Sequence, residues 1–205
     1  MPRPSIISTY TKALADLSII ERFYQQSKLL PSANMQGFVS EVLMLRAFSV
    51  LEQAIIDVAC RVACGVKYRN ETFSMPICKA TSCIDAIHKF KNHNRGDRPL
   101  YNLNFSKVKQ VNDAVKYVID HNEPFRRNLS NYGIQIDEMR RVRNHIAHRN
   151  HSTRDEFKKV LVSRYGANIK LTPAAFLTST KRQALAIIEE YLITIKVIID
   201  DITMG

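Results

Sequence analysis

Residues 140–150, RRVRNHIAHRN, combine two side-chain types that can act together on a phosphate group. The segment holds four arginines and two histidines around the small apolar pair Ile146 and Ala147. An imidazole titrates near neutral pH and can take up and release protons. A guanidinium binds phosphoryl oxygens and stabilises negative charge that develops on them. The segment can therefore act on one phosphate if an arginine and a histidine of it reach the same point.

Two Arg–His pairs have the same spacing. Arg140 precedes His145 and Arg143 precedes His148 by the same number of positions, so spacing does not choose between them. A helical wheel does, because Arg143 falls near the middle of the core-facing apolar stripe and Arg140 just beyond its edge. That stripe is predicted to consist of Ile136, Met139, Val142, Ile146 and Ala147.

A guanidinium on the buried side of a helix is costly unless it is paired or lines a cavity. Arg143 therefore pairs with a buried carboxylate such as Glu52, extends to solvent, or serves a site. His148 lies about 140° from Arg143 on an ideal wheel and roughly 7.5 Å farther along the axis. A site within one helix then requires an end or bend near Ala147, or a second copy of the chain. Asn144, one turn before His148, is expected to orient that imidazole or to bind a phosphate oxygen.

The elements that position this segment are predicted to be helices. Carboxylates at Asp137 and Glu138 and cations at Arg149 and His151 predict a helix over residues 137–150. A long apolar segment, 35–64, predicts a buried central helix that ends at Gly65. Further helices are predicted to end before Pro31 and to cover residues 81–93, 106–120, 153–166 and 180–202.

The connections are predicted to be irregular. Residues 66–80, 94–104 and 121–135 are predicted to be loops, and residues 167–177 an extended segment or a hairpin. Two long helices, several short ones and a strong terminal helix predict an all-α fold, an irregular helical bundle that forms one domain over residues 1–205.

Charge and composition narrow the class of partner. The chain has 30 Lys and Arg against 19 Asp and Glu, a net charge of +11. Such a positive field can hold a polyanion, with RNA the natural candidate, although charge for solubility alone is the alternative. Basic residues concentrate in 87–127 and 134–165. The sequence shows no signal-peptide pattern and no apolar run long enough for a membrane span, so we expect a cytoplasmic protein.

The four cysteines match neither a zinc knuckle nor a secreted disulfide framework. Cys60 and Cys64 lie one turn apart on the apolar helix and are predicted to be reduced core residues. The alternative is a metal pair that His88 and His93 would complete. We expect no metal and no cofactor. The cysteines are Cys60, Cys64, Cys78 and Cys83.

The hexapeptide at 143–148, RNHIAH, resembles the R-N-x-x-x-H form of the motif in the HEPN superfamily, helical bundles of which many are metal-independent ribonucleases. The surroundings are similar too, because a late helix carries the motif after a turn-rich loop and a long upstream helix contains FSVLEQAIIDVA. Glu52 in that stretch occupies a position similar to that of the acidic or polar residue that RiboL-PSP-type HEPN families carry on a helix before the motif helix.

The resemblance implies a homodimer with one composite cleft. In it the RNA 2′-hydroxyl attacks the adjacent phosphorus, His148 of the two subunits acts as base and acid, and Arg143 stabilises the phosphoryl charge. Asn144 would position the phosphate and Glu52 would orient Arg143, with His145 as a further supporting residue. The surrounding arginines expected to bind RNA are Arg140, Arg141 and Arg149.

The resemblance also implies a biological setting. Such a nuclease acts as a toxin or an anti-phage defence effector, with an antitoxin or another defence protein as a partner. Some HEPN toxins carry a tyrosine two residues after the motif histidine, which their nucleotidyltransferase partner modifies, whereas this chain has Asn150 there. The alternative is a non-catalytic HEPN-like module that binds RNA or a protein through its basic face.

Overall fold

Helices make up the regular structure of the computed structural model, which describes residues 5–93, 103, 105–167, 169–181 and 184–205. The predicted all-α class is confirmed. Within those ranges the only other pairing is an isolated antiparallel bridge between Lys67 and Phe73. The helices are α1 (Ile6–Ser27), α2 (Ala33–Ala63), α3 (Cys83–His93), α4 (Val108–Val115), α5 (Pro124–Ser130), α6 (Gly133–His148), α7 (His151–Tyr165), α8 (Pro173–Leu177) and α9 (Ile187–Met204).

The predicted end of α2 at Gly65 is confirmed, whereas the helix predicted over residues 106–120 covers only Val108–Val115. Gly65 ends α2 with a φ of 72°, in the left-handed region that favours glycine, and its N–H donates to the Val62 carbonyl at 3.0 Å. Ser82 caps α3, because its Oγ accepts from the Asp85 N–H at 3.1 Å. The predicted basic loop at 94–104 lies, apart from Leu103, outside the described residues.

Two connections were predicted wrongly. The segment 121–135 contains α5, in which Pro124 occupies the first turn and Phe125 and Leu129 are buried. The segment 167–177 contains α8, where the Thr172 side chain accepts from the Ala175 N–H at 3.2 Å and Pro173 begins the helix. In both cases proline is at a helix start, where its missing N–H has no intrahelical partner to lose.

The boundaries of two further helices also differ from prediction. The motif helix α6 begins at Gly133, about one turn before the predicted start at 137. The terminal helix α9 begins at Ile187 and not near 180. Among the residues described, no helix combines the length and the apolar character that crossing a membrane requires.

The chain divides into two compact units, and the single-domain interpretation stays a prediction. The first comprises Met1–Leu14, Leu51–Ile136 and Val197–Gly205. Its interior includes Tyr68, whose hydroxyl donates to the buried Glu123 carboxylate at 3.0 Å. The second comprises Ala15–Val50 and Asp137–Lys196. It carries the motif segment.

The interior of the second unit contains an aromatic cluster. Phe157 and Phe176 meet edge to face with their centroids 5.5 Å apart, and Tyr165 contacts Phe176 in the same way at 6.3 Å. All three side chains are buried. Edge-to-face rings add stability beyond the area they bury, so the cluster fixes α7 beside the segment that carries α8.

Candidate nucleic-acid site

The motif helix α6 ends at His148 through an unusual residue. Arg149 has a φ of 45°, in the left-handed region that a side chain disfavours. Its N–H donates to the His145 carbonyl at 3.0 Å, and its guanidinium donates to Glu41 Oε2 at 2.6 Å. The Glu41 side chain is only 9% exposed. The ion pair therefore fixes the point at which the chain leaves α6.

Arg143 is half-buried, as the wheel predicted, and its guanidinium has defined contacts. Nη1 donates to the Asn144 side-chain oxygen at 2.9 Å, and Cζ lies 5.2 Å from the centroid of the Phe48 ring. A cation over an aromatic face is stabilised by the ring quadrupole. Asn144 Oδ1 is thus engaged by Arg143 and not by His148.

His148 is exposed on the last turn of α6. Its imidazole makes no hydrogen bond or ion pair with any residue that the structure describes, so both ring nitrogens are available to a ligand. Ile136, Met139, Val142 and Ile146 are buried as predicted, but Ala147 is exposed. The buried apolar stripe of α6 therefore ends at Ile146, shortly before the chain leaves the helix at Arg149.

The arginines expected to bind RNA all have carboxylate partners. Arg140 and Arg141 both bind Asp137, with Nη2 to oxygen distances of 2.7 Å each, and Arg141 also lies 3.3 Å from Glu156. Although burial raises the pKa of Asp137, hydrogen bonds from Arg140 and Arg141 outweigh burial and lower it. Together with the Arg149 pair, these contacts offset much of the charge along α6.

Glu52 lies on α2 within the first unit, and its side chain is half-buried. Its predicted role towards Arg143 stays a prediction. Of the predicted catalytic and supporting residues, the structure brings Arg143 and Asn144 into contact, whereas His148 projects separately from the same helix.

His145 has a different environment from His148. Its ring stacks on Phe157, with centroids 5.2 Å apart and an interplanar angle of 25°, and its Nδ1 lies 3.2 Å from Thr153 Oγ1. Burial lowers the pKa of His145, and the nearby charges of Arg154 and Arg149 lower it further, against the opposing effect of Glu41. Burial and these two charges therefore favour the neutral form of the imidazole.

Two basic residues that the sequence patterns missed lie close to His145. Arg154 and Lys170 line the same cleft as His145 and Arg149. Neither forms an ion pair with a carboxylate in the portion of the chain that the structure describes, although the charge of Arg154 helps to lower the pKa of Asp155. Arg154 lies just after the motif and Lys170 in a segment without helical periodicity, so only the fold brings them together.

The cysteines at the end of the apolar helix α2 differ in burial. Cys60 is buried as predicted, whereas Cys64 is half-buried. Burial raises the pKa of the Cys60 thiol to about 12. Across the described residues, no three or more His, Cys, Asp and Glu side chains are grouped so that they could hold a metal ion.

The chain matches no protein-family model, no curated protein and no solved structure. The resemblance to the HEPN superfamily therefore depends on the motif and its setting alone.

Proposed function

We propose that the chain is a metal-independent endoribonuclease of the HEPN type, which acts as a cytoplasmic homodimer in a toxin or anti-phage defence role. The observation that carries the proposal is that α6 presents a histidine and an arginine in different environments. His148 presents an exposed imidazole without a partner among the described residues, while Arg143 is held half-buried by Asn144 and Phe48. Cleavage of a phosphodiester by the adjacent hydroxyl uses a proton carrier and a cation that stabilises the phosphoryl charge.

In the proposed reaction, His148 of one subunit takes the proton from the ribose 2′-hydroxyl as its oxygen attacks the adjacent phosphorus. The bond from phosphorus to the 5′-oxygen breaks, and His148 of the partner subunit gives a proton to that leaving oxygen. The products are a 2′,3′-cyclic phosphate and a 5′-hydroxyl. Arg143 stabilises the negative charge on the non-bridging oxygens, and Asn144 positions the phosphate.

An exposed apolar stripe on α2 supports a homodimer. Met35, Phe38 and Val42 recur at helical spacing on one face, and all three are exposed, Phe38 to 65%. Contiguous exposed apolar side chains mark interaction surfaces. Glu41, the partner of Arg149, lies only about 60° from Phe38 around the helix. A second copy seated on this stripe would approach the end of α6, where the composite cleft requires it.

The test of the chemistry is RNA cleavage in EDTA by His148→Ala. Loss of both proton carriers from the dimer should lower the rate at least about 100-fold. His151→Ala is the matched control, because His151 is also exposed, to 87% of its side chain, but lies on α7 and pairs with Asp155 at 3.1 Å. The control should retain wild-type activity and release the cyclic phosphate. Equal cleavage by His148→Ala would refute the proposal.

The dimer is tested by Phe38→Asp. A charge in the centre of the stripe should give a monomer by light scattering and abolish cleavage while the helical circular dichroism stays unchanged. Phe73→Asp is the control, because Phe73 is exposed to 64% but is not part of the α2 stripe. A dimeric and fully active Phe38→Asp variant would exclude this stripe as the interface.

The second candidate is a non-catalytic module that binds RNA or a protein partner, such as an antitoxin or another defence component. The cations of Arg154 and Lys170 favour it, because neither has a carboxylate partner within the described ranges. Salt-sensitive RNA retention without any cyclic-phosphate product would select this function over the nuclease.

A further inference from the structure

A cleft of about 690 Å³ lies beside the motif in the second unit. Its lining comes from Glu41 of α2, from the end of α6, from α7 and from residues 169–173, which lead into the start of α8. The volume is in the range of small-molecule and cofactor sites. It is therefore large enough for a nucleotide.

Positive charge dominates the cleft. Four of its residues are basic and one is acidic. Glu41 is neutralised by Arg149 at 2.6 Å, and Lys158 is paired with Asp155 at 3.0 Å. Arg154 and Lys170 remain without a carboxylate partner among the residues described. Two such cations suit a phosphate group, which takes charge-assisted hydrogen bonds.

His145 adds a hydrogen-bond acceptor. Thr153 Oγ1 lies 3.2 Å from His145 Nδ1 and 3.1 Å from the Asn150 carbonyl oxygen, so in the tautomer whose Nδ1–H donates to Thr153 the hydroxyl donates its own proton to Asn150. The neutral ring then carries its lone pair on Nε2. Stacking on Phe157 holds the ring in place. A ligand that donates a hydroxyl or amine hydrogen fits this nitrogen.

The third feature of the cleft is an apolar wall. Leu161, Ile169, Leu171 and Pro173 line the same cleft. Such a wall accommodates the face of a planar ring. A phosphate, a hydrogen-bond donor and a planar ring occur together in a ribonucleotide.

We propose that this cleft binds one ribonucleotide unit of the RNA substrate beside the linkage that is cleaved. Its phosphate binds Arg154 and Lys170, its ribose hydroxyl donates to His145 Nε2, and its base packs on the apolar wall. This assignment rests on the proposed nuclease. His145 and His148 share the last turn of α6, so an RNA strand bound in the cleft would also contact the proposed catalytic histidine. A free mononucleotide offers the same chemistry, so the test separates the two sources.

The test measures binding of a fluorescein-labelled RNA hexamer by anisotropy, in a His148→Ala background that prevents cleavage. Arg154→Ala/Lys170→Ala should weaken binding at least about tenfold and reduce the slope of log affinity against log salt by about 1.4. Lys12→Ala/Arg22→Ala removes the same charge from exposed positions on α1, outside the two segments in which basic residues concentrate, and should stay within about twofold of the background. Urea unfolding confirms that each variant is folded.

Two further probes identify the ligand. A DNA hexamer of the same sequence lacks the 2′-hydroxyl that donates to His145, so wild-type His145 should favour RNA over DNA. His145→Phe removes the acceptor, and this preference should disappear. Adenosine 5′-monophosphate should bind much more weakly than the hexamer. Tight binding of the mononucleotide without binding of the hexamer would overturn the assignment to RNA.

The outcomes separate this proposal from the nuclease itself. If wild-type protein cleaves RNA but Arg154→Ala/Lys170→Ala binds the hexamer normally, the subsite is refuted and the nuclease stands. If hexamer binding depends on the cleft but wild-type protein releases no cyclic phosphate, the subsite stands and the nuclease is refuted.

Discussion

Substitution of Arg149 separates the two structural roles of this residue. Its guanidinium pairs with Glu41, and its backbone holds a φ of 45° where α6 ends. Alanine removes the ion pair but keeps a Cβ in the left-handed region. Glycine removes the ion pair and also relieves the backbone strain. Comparison of Arg149→Ala with Arg149→Gly therefore measures each effect.

The expected magnitudes follow from the burial of the two partners. Removal of one partner from a fully buried ion pair costs about 3–5 kcal/mol. Glu41 is 9% exposed but Arg149 is 66% exposed, so solvent screens the pair. We expect Arg149→Ala to lower the free energy of unfolding by about 2 kcal/mol. Glycine relieves the left-handed backbone strain, which is worth about 1 kcal/mol. Arg149→Gly should therefore lower the free energy of unfolding by about half as much as Arg149→Ala.

The assay is urea unfolding followed by circular dichroism at 222 nm. Arg154→Ala is the control, because its guanidinium has no carboxylate partner in the described chain, and it should change stability by less than about 0.5 kcal/mol. If glycine destabilises as much as alanine, the backbone at Arg149 is not strained. If alanine is neutral, the ion pair with Glu41 contributes nothing.

Three further predictions concern the packing around the site. Arg164 binds Glu138 at 2.7 Å, and the Arg164 side chain is only 24% exposed. Arg164→Met should therefore lower the free energy of unfolding by about 3 kcal/mol in the same assay. An unchanged free energy would show that the pair does not stabilise the fold. Tyr68→Phe removes the hydroxyl that donates to the buried Glu123 and should cost about 2 kcal/mol, whereas a neutral effect would mean that water replaces the hydroxyl. The pKa of His145 is lowered on folding, so the unfolded chain binds more protons. Wild-type stability should therefore fall relative to His145→Gln as pH drops below about 6.5, and parallel pH profiles would contradict the shift.

The fold class and the two faces of α6 followed from sequence because long helices repeat their apolar pattern over many turns. The buried side chains at Ile136, Met139 and Val142 and the half-buried Arg143 agree with the helical wheel. The short helices α5 and α8 did not, because one or two turns give too few apolar positions to establish a period. In both, a proline stands at the helix start.

The environment of the histidines could not be obtained from spacing. His145 and His148 have equivalent arginines before them, yet one stacks on Phe157 in a basic cleft and the other is exposed. The difference arises from α7 and from the segment that carries Lys170, which pack beside one histidine only. Contacts between residues distant in the chain depend on the tertiary fold, which local periodicity does not encode.

The central claim is that two copies of α6 form one catalytic cleft. The most direct measurement is the distance between the two His148 imidazoles in a crystal structure of the homodimer. We predict that both rings lie close enough to contact one phosphodiester linkage, with Arg143 facing the same space. Two His148 side chains on opposite outer surfaces of the dimer would contradict the composite site.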